Sequence, residues 1–211
     1  MPQNTDSRLQ SLLDREELFD LVRRERFSRD QHRFDAMSEC FHPDAYIRTS
    51  WYDGRGGQAY VDASRKAMER ATNNKGASKH WVFPAVAHVN GDRATVESPA
   101  MIFNRVPLEG VEVDFHVFCR FFSRAVREAD AWKLLSFEVL FERDVLKPVN
   151  PEETAPIDWA LVSTLRPSYK FLAYLQSKRG VDVNPDLLGD DQRDQLNAFY
   201  LTERRWLDGE G

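Results

Sequence analysis

The stretch Val111-Glu112-Val113-Asp114-Phe115-His116-Val117-Phe118-Cys119-Arg120-Phe121-Phe122-Ser123 decides how this chain folds. It is rich in β-branched and aromatic residues, holds neither glycine nor proline, and repeats with a period of two, which predicts a strand. Parity sets His116, Phe118, Arg120 and Phe122 on one face and Phe115, Val117, Cys119 and Phe121 on the other. Both sets are apolar enough to face a core, so the pattern does not choose between them. Working outward, Lys79 to Val89, Arg93 to Arg105 and Trp132 to Arg143 read the same way. Short polar breaks separate them at Asn90-Gly91-Asp92, Pro107-Leu108-Glu109-Gly110 and Arg127-Glu128-Ala129-Asp130. Four strands joined by short turns predict an antiparallel meander.

Upstream the period changes. Residues 7 to 29 carry Leu9, Leu12, Leu13, Leu18, Phe19, Leu21 and Val22 at three-to-four spacing, which predicts a helix with one buried face. After Asp30-Gln31-His32-Arg33, the run Phe34 to Phe41 predicts a short second helix stopped by His42-Pro43-Asp44. Tyr46 to Tyr52 reads as a strand and Asp53 to Gly57 as a turn. A third helix runs from Gln58 to about Asn73 and ends at Asn74-Lys75-Gly76. Helices segregated from a meander imply an α+β domain with the helices packed in the concave face of its sheet. Past a proline-punctuated linker, Lys147 to Pro156, three further segments are helical: Trp159 to Val162, Tyr169 to Gln176 and Asp191 to Leu207. The chain thus divides into a domain of residues 1–147 and a helical extension of residues 148–211. The extension's apolar surface has to be covered by the core, a second subunit or a cavity mouth.

Composition narrows the function. The 211 residues are 42% hydrophobic and 30% charged with a formal charge of -5, so no basic face is available for nucleic acid. The opening Met1-Pro2-Gln3-Asn4-Thr5-Asp6 lacks the pattern of a signal peptide, and no run approaches the roughly 20 apolar residues of a membrane span. A cytoplasmic protein with no membrane partner is expected. Cys40 and Cys119 have no metal spacing and read as reduced core residues, and the five histidines show no His-x-x-x-His or His-x-Glu cluster. Neither a metal nor a cofactor is expected.

Two residues point at chemistry. Asp30 closes the first helix, and His80 opens the β-patterned Lys79-His80-Trp81-Val82-Phe83. A carboxylate that orients a histidine is the smallest device that makes a general base near neutral pH.

The strings Leu13-Asp14-Arg15-Glu16-Glu17-Leu18-Phe19-Asp20-Leu21-Val22, Phe27-Ser28-Arg29-Asp30, Arg33-Phe34-Asp35-Ala36-Met37 and Phe41-His42-Pro43-Asp44-Ala45 resemble the opening of SnoaL-like members of the nuclear transport factor 2-like superfamily. Asp130-Ala131 running into Trp132-Lys133-Leu134 is similar to the same family's ending. The resemblance covers roughly residues 8 to 146. It implies a cone-shaped, strongly curved antiparallel sheet with the N-terminal helices in its concave face. Asp30 and His80 fall where the scytalone dehydratases, the bile-acid 7α-dehydratases and the hexachlorocyclohexane dehydrochlorinase carry an Asp-His dyad.

On that resemblance the expected function is a cofactor-independent lyase, a dehydratase or related eliminase, acting on a hydrophobic cyclic small molecule. His80 would be the base and Asp30 its orienting partner. Arg120, Asn104, Trp51, Tyr52 and Ser50 are candidates to stabilise developing negative charge. Glu25 would be an additional acid or the ion-pair partner of Arg29 one turn later. His116 would be structural or a second pocket histidine that protonates a leaving hydroxyl, with Phe118 on the same wall. The alternatives are a non-catalytic hydrophobic-ligand binder, an assembly subunit of the same fold, or an isomerase of the ketosteroid type. A homo-oligomer, dimer or trimer, formed through the sheet's outer face is expected.

Overall fold

The computed structural model of the chain describes residues 5–73, 78–181 and 183–210. The helix ending at Asn74-Lys75-Gly76 and the opening Met1-Pro2-Gln3-Asn4 lie outside those residues. Helix α1 (Thr5–Asp30) leads into α2 (Phe34–Ser38), strand β1 (Phe41–Arg48), strand β2 (Asp53–Arg55) and helix α3 (Gly57–Asn73). Strands β3 (Lys79–Val82), β4 (Val86–Asn90), β5 (Arg93–Leu108), β6 (Val111–Glu128) and β7 (Ala131–Pro148) follow. Among the described residues these seven strands form one sheet in the order β2-β1-β7-β6-β5-β3, with β4 beside β3 on the edge of β5.

The long hairpins fold as their turns dictate. Glu109 and Gly110 have φ of 48° and 95°, and Ala129 and Asp130 have φ of 45° and 66°. Paired positive φ values match the twist of a tight hairpin, so β5–β6 and β6–β7 pair along almost their whole length. Register shifts between Phe118 and Cys119 and between Phe122 and Ala125 place bulges in the middle of the sheet. Bulges bend a sheet and increase its twist, which curves it around the helices.

Several details depart from the sequence reading, among them the predicted turn Asp53 to Gly57, whose first three residues are strand β2 paired antiparallel with β1. The predicted strand Lys79 to Val89 is broken in two around Pro84, whose missing N–H cannot serve a ladder. β1 begins at Phe41, through the predicted stop at His42-Pro43-Asp44, and pairs in parallel with β7, bringing Ile47 opposite Phe137. Thr49 to Tyr52 is a turn rather than a strand: the Thr49 hydroxyl accepts from the backbone N–H of Tyr52 at 3.1 Å, and Thr49 N–H donates to the Tyr52 carbonyl at 2.8 Å. Helix α1 buries mainly its C-terminal part, with Leu18, Leu21, Glu25, Arg26, Arg29 and Asp30 inside, along with Asp14, while Leu9, Leu12 and Leu13 stay exposed.

The concave core packs α1, α2 and α3 against the sheet through Leu18, Leu21, Met37, Tyr60, Val117, Leu134 and Phe137. Each such fully buried apolar side chain contributes about 1.5–3 kcal/mol. Gly57 lets α3 start against β1, since a Cβ there would sit 2.5 Å from Phe41 Cβ. Cys40 and Cys119 are free and buried.

The extension covers both faces of the sheet. A short helix α4 (Trp159–Val162) and the turn Pro167–Tyr169 precede α5 (Lys170–Ser177), which packs on β7. Residues 188 to 190 then pair with the free edge of β7: Phe141 N–H donates to the Leu188 carbonyl and Asp190 N–H to the Phe141 carbonyl, both at 2.9 Å. Helix α6 (Arg193–Leu207) lies on the outer face, where Phe122, Leu140, Leu188 and Leu196 form a second core with Phe199 and Tyr200. Part of the outer face, which the sequence reading reserved for a second copy, is thus occupied by the chain's own helix.

Candidate functional site

The end of α1 and the start of β3 meet at the sheet. The Asp30 carboxylate receives the backbone N–H of His80 on Oδ2 at 2.7 Å and faces His80 Nδ1 from Oδ1 at 2.8 Å. Lys79 Nζ donates to the Asp30 carbonyl at 2.5 Å, so the same two residues clamp the helix terminus to the strand. The side chains of His80 and Asp30 are only 5% and 7% exposed.

Burial, the largest influence, would raise the Asp30 carboxyl, but the hydrogen bond from His80 and the positive charges of Arg26 and Arg29 outweigh it and hold it below its ordinary range. Asp30 is therefore ionised and can only accept, so Nδ1 carries the ring proton and Nε2 keeps its lone pair. Desolvation, reinforced by the nearby positive charges of Arg26 and Arg29 and only partly offset by Asp30, pushes the His80 imidazolium down to about 3. The pair at neutral pH is a neutral imidazole against a carboxylate.

His80 lines a cavity of about 140 Å³ inside the curved sheet. Its walls are apolar, with Val117, Phe121, Phe137, Val139 and Phe141 from the strands and Leu175 from α5. Its polar groups gather near the dyad: Arg26, Arg29, Ser78, Asn104 and the turn Thr49 to Trp51. Trp51 and Arg179 are its two exposed lining residues and mark the rim. There the extension meets the domain, where Gln176 Nε2 donates to Ser50 Oγ at 3.4 Å. Asp30 and His80 also border a second, more open depression of about 380 Å³, shared with Phe27, Lys79 and Trp81.

The candidates from the sequence divide into those inside and those outside the cavity. Trp51 and Asn104 line it, and Asn104 Nδ2 donates to Ser78 Oγ at 2.8 Å. Tyr52 does not line it; its ring packs edge-on against Tyr60 at 5.1 Å and braces the Trp51 turn. Glu25 is buried but pairs with Arg26 rather than Arg29, Arg26 Nε reaching Oε2 at 2.9 Å and Nη2 reaching Oε1 at 2.5 Å. The Arg26 guanidinium also stands against the rings of Phe137, 4.7 Å from its centroid, and Phe121, at 5.5 Å.

Phe118 and Arg120 are corrected as ligand contacts, and His116 takes the structural of its two alternatives. The odd-numbered residues Phe115, Val117 and Phe121 take the cavity side, leaving the even-numbered ones on the outer face. Phe118 lies there under the Arg143 guanidinium at 4.7 Å. Arg120 ties down the extension, contacting Glu97 at 2.9 Å, Glu142 at 2.5 Å and Asp190 at 2.9 Å. Sequence reasoning missed Arg26, Arg29, Ser78, Gln176 and Arg179. Arg26 and Arg29 lie four and one residues before Asp30, on the buried side of the same helix, and that spacing was the available signal.

Comparison with known proteins places this geometry. The model of the SnoaL-like domain matches residues 10–138, more than half of the chain. The chain belongs to the SnoaL-like family. Among relatives of this SnoaL-like chain, Pea pathogenicity protein 2 of Fusarium vanettenii is 29% identical over 192 residues, covering 86% of this chain and 80% of the relative. A type 2 hexachlorocyclohexane dehydrochlorinase superposes with a TM-score of 0.56 at 13% identity, covering 71% of this chain and 98% of that one. A protein assigned as a scytalone dehydratase from Novosphingobium aromaticivorans superposes with a TM-score of 0.53 at 15% identity, covering 69% and 97%. At these identities the structures share the nuclear transport factor 2-like fold with the SnoaL-like chain. Among its described residues, no helix is long and apolar enough to cross a membrane, and no three His, Cys, Asp or Glu side chains gather as metal ligands.

Proposed function

We propose that this SnoaL-like protein is a lyase that removes water, or another leaving group, from an apolar cyclic small molecule by general-base catalysis at His80. The observation that carries the reading is the 2.8 Å contact between His80 Nδ1 and Asp30 Oδ1 in the wall of an apolar cavity. Names in the fold's neighbourhood support it, since a dehydrochlorinase and a protein assigned as a dehydratase share the fold.

In the proposed step His80 Nε2 takes a proton from a carbon beside an activating group, and that C–H pair becomes the new double bond. The bond from the neighbouring carbon to the leaving oxygen breaks, and the leaving hydroxyl departs as water with the proton the imidazolium returns. Asp30 holds the ring in the tautomer that can accept, and its charge stabilises the imidazolium formed. The apolar walls bind the ring and exclude bulk water, while Asn104 and Ser78 offer polar contacts at the reacting end.

The test is a panel of cyclic β-hydroxy carbonyl and halogenated compounds, scored by mass spectrometry for loss of water or halide. Wild-type turnover that falls at least about 100-fold in His80→Ala, with the ligand still bound, is the expected result. Ligand binding without turnover in the wild type would leave a binding protein instead.

A further inference from the structure

Arg29 is a buried cation with one long hydrogen bond, from Nη1 to Asp30, and an Nε donor left unmet. Its side chain is 6% exposed, its Nε is buried without a partner, and its contact with Asp30 Oδ1 is long at 3.4 Å. Asp30 answers the Arg29 charge at that distance, but its oxygens also accept from His80 at 2.7 and 2.8 Å, and the Arg29 Nε edge is left without an acceptor. The neighbouring Arg26 differs, because Glu25 answers its charge through the Nε–Nη2 edge of the guanidinium. A buried guanidinium left in this state is costly, and a native protein keeps such a group where something else completes it.

The surroundings have the same character. Arg29 lines the cavity, its guanidinium stands over the Trp51 ring at 5.8 Å, and no Asp or Glu lies among the cavity's described lining residues. Arg179 stands at the rim with no ion pair among the described residues. Asn104 and Gln176 on the same lining each keep a buried amide oxygen without a partner, an acceptor that a donor elsewhere on the ligand, not its carboxylate, would meet. One end of an otherwise apolar cavity thus presents positive charge and unmet hydrogen bonds.

We infer that the ligand of this site is an apolar ring compound bearing a carboxylate, which Arg29 binds inside the cavity and Arg179 attracts at the rim. The inference rests on the proposed ligand site and adds the chemical class that the site selects. A planar carboxylate fits the free Nε edge of a guanidinium, whereas an uncharged oxygen would make a weaker hydrogen bond there, without charge assistance. The bound anion would also offset a positive charge that holds the His80 imidazolium down, so the base would strengthen only when the ligand is in place.

The experiment is calorimetric titration of the full chain at pH 7 with 2-naphthoate and with its uncharged counterpart 2-naphthamide. The acid is expected to bind about 10- to 100-fold tighter, the range of one charge-assisted hydrogen-bonded contact. Arg29→Gln should abolish the preference while amide affinity persists, which also shows that the variant folds, and Arg29→Lys should keep most of it. Equal affinities in the wild type, a preference that survives Arg29→Gln, or no binding of either compound would overturn the inference. Acid selectivity without turnover of any substrate would sink the lyase reading and leave this one standing. His80-dependent turnover of neutral compounds with no acid preference would do the reverse.

Discussion

Replacing Asp30 by Asn changes one atom for another of nearly equal size and tests the dyad without changing the packing. The Asp30 carboxylate accepts from two N–H groups of His80, the backbone at 2.7 Å and the ring at 2.8 Å. An asparagine has one oxygen and one NH₂, so it can accept only one of them. If its oxygen keeps the ring proton, its NH₂ meets the backbone N–H donor head on. If its oxygen keeps the backbone proton, its NH₂ points at Nδ1, the ring proton moves to Nε2, and the imidazole can no longer act as a base toward the cavity. Hydrogen bonds to a charged partner contribute about 1.5–3 kcal/mol each, so the variant should lose about 2–3 kcal/mol. At about 2–4 °C per kcal/mol for a chain of this size, the melting temperature should fall by roughly 5–10 °C. Catalysis should suffer far more, by about 10³–10⁴-fold, as when an asparagine in a serine-protease triad imposes the wrong tautomer. The tautomer can be read without a substrate, from the ring nitrogen shifts of His80 by NMR. The expected result is a proton on Nδ1 in the wild type, no titration of the ring from pH 5 to 8, and a shift toward the Nε2–H form in Asp30→Asn. A wild-type His80 that titrates near 6.5, or that carries its proton on Nε2, refutes the reasoning.

Other perturbations have definite signs. The His80 imidazolium is disfavoured on folding, from 6.5 to about 3, so the unfolded chain binds more protons in that window, and the contribution to stability is complete above pH 6.5 and lost as pH falls. Burial raises Glu138 to about 7 and Asp144 to about 6, which acts in the opposite sense, so the effect has to be read as the difference between wild type and His80→Gln. By pH 4.5 that difference should have moved against the wild type by about 2–3 kcal/mol in denaturant titrations, and a flat difference would contradict the burial. Gly189→Ala would put a Cβ 2.7 Å from Asp191 Oδ1 and 2.9 Å from Ser168 Cβ, so the segment beside β7 should loosen, with a loss of about 1–3 kcal/mol and faster amide exchange at Phe141 and Asp190. Unchanged exchange there would show that the segment has slack. Arg120→Met strands Glu97, Glu142 and Asp190, so it should destabilise the docking of α6 while leaving ligand affinity of the cavity within about twofold, the size of a surface change away from the site. A large loss of affinity would return Arg120 to the ligand site.

The fold was legible because its signals were redundant. The turns at Glu109-Gly110 and Ala129-Asp130 and the apolar strands between them agree on a meander, and helices before and after it leave one α+β arrangement. The contact between Asp30 and His80 was legible for a different reason: an acid at a helix terminus and a histidine at a strand start can pair where the two elements meet. What stayed open was the choice of face. Both sides of β6 are apolar because both are buried, one by α1 and the cavity and the other by α6, so alternation lost its usual meaning of inside and outside. Arg120 looked like a lone cation in a greasy strand; its partners Glu97, Glu142 and Asp190 come from two flanking strands and a segment 70 residues away. The arginines before Asp30 looked like solvent charges of an amphipathic helix, and only the curvature of the sheet around the end of α1 turns them inward.

The two faces of the sheet are coupled through the extension, and this gives the C-terminal residues a defined role. Asp144 on β7 accepts the Leu172 N–H at 2.7 Å and so fixes the start of α5, whose Leu172, Leu175 and Gln176 line the cavity. A few residues along the same strand, Phe141 holds the Leu188–Asp190 segment by two backbone hydrogen bonds of 2.9 Å, and that segment leads into α6 on the outer face. The cavity's ceiling and the outer helix are therefore anchored to neighbouring positions of one strand, one on each side of the sheet. A chain cut after Val149 would keep Asp30, His80 and Arg29 but lose the α5 wall, opening the apolar cavity to water. In that open cavity the charges of Arg29 and Asp30 would be screened, and the desolvation that holds His80 neutral would weaken. The extension belongs to the site as much as α1 does, because it supplies the dry surroundings that give the dyad its electrostatics.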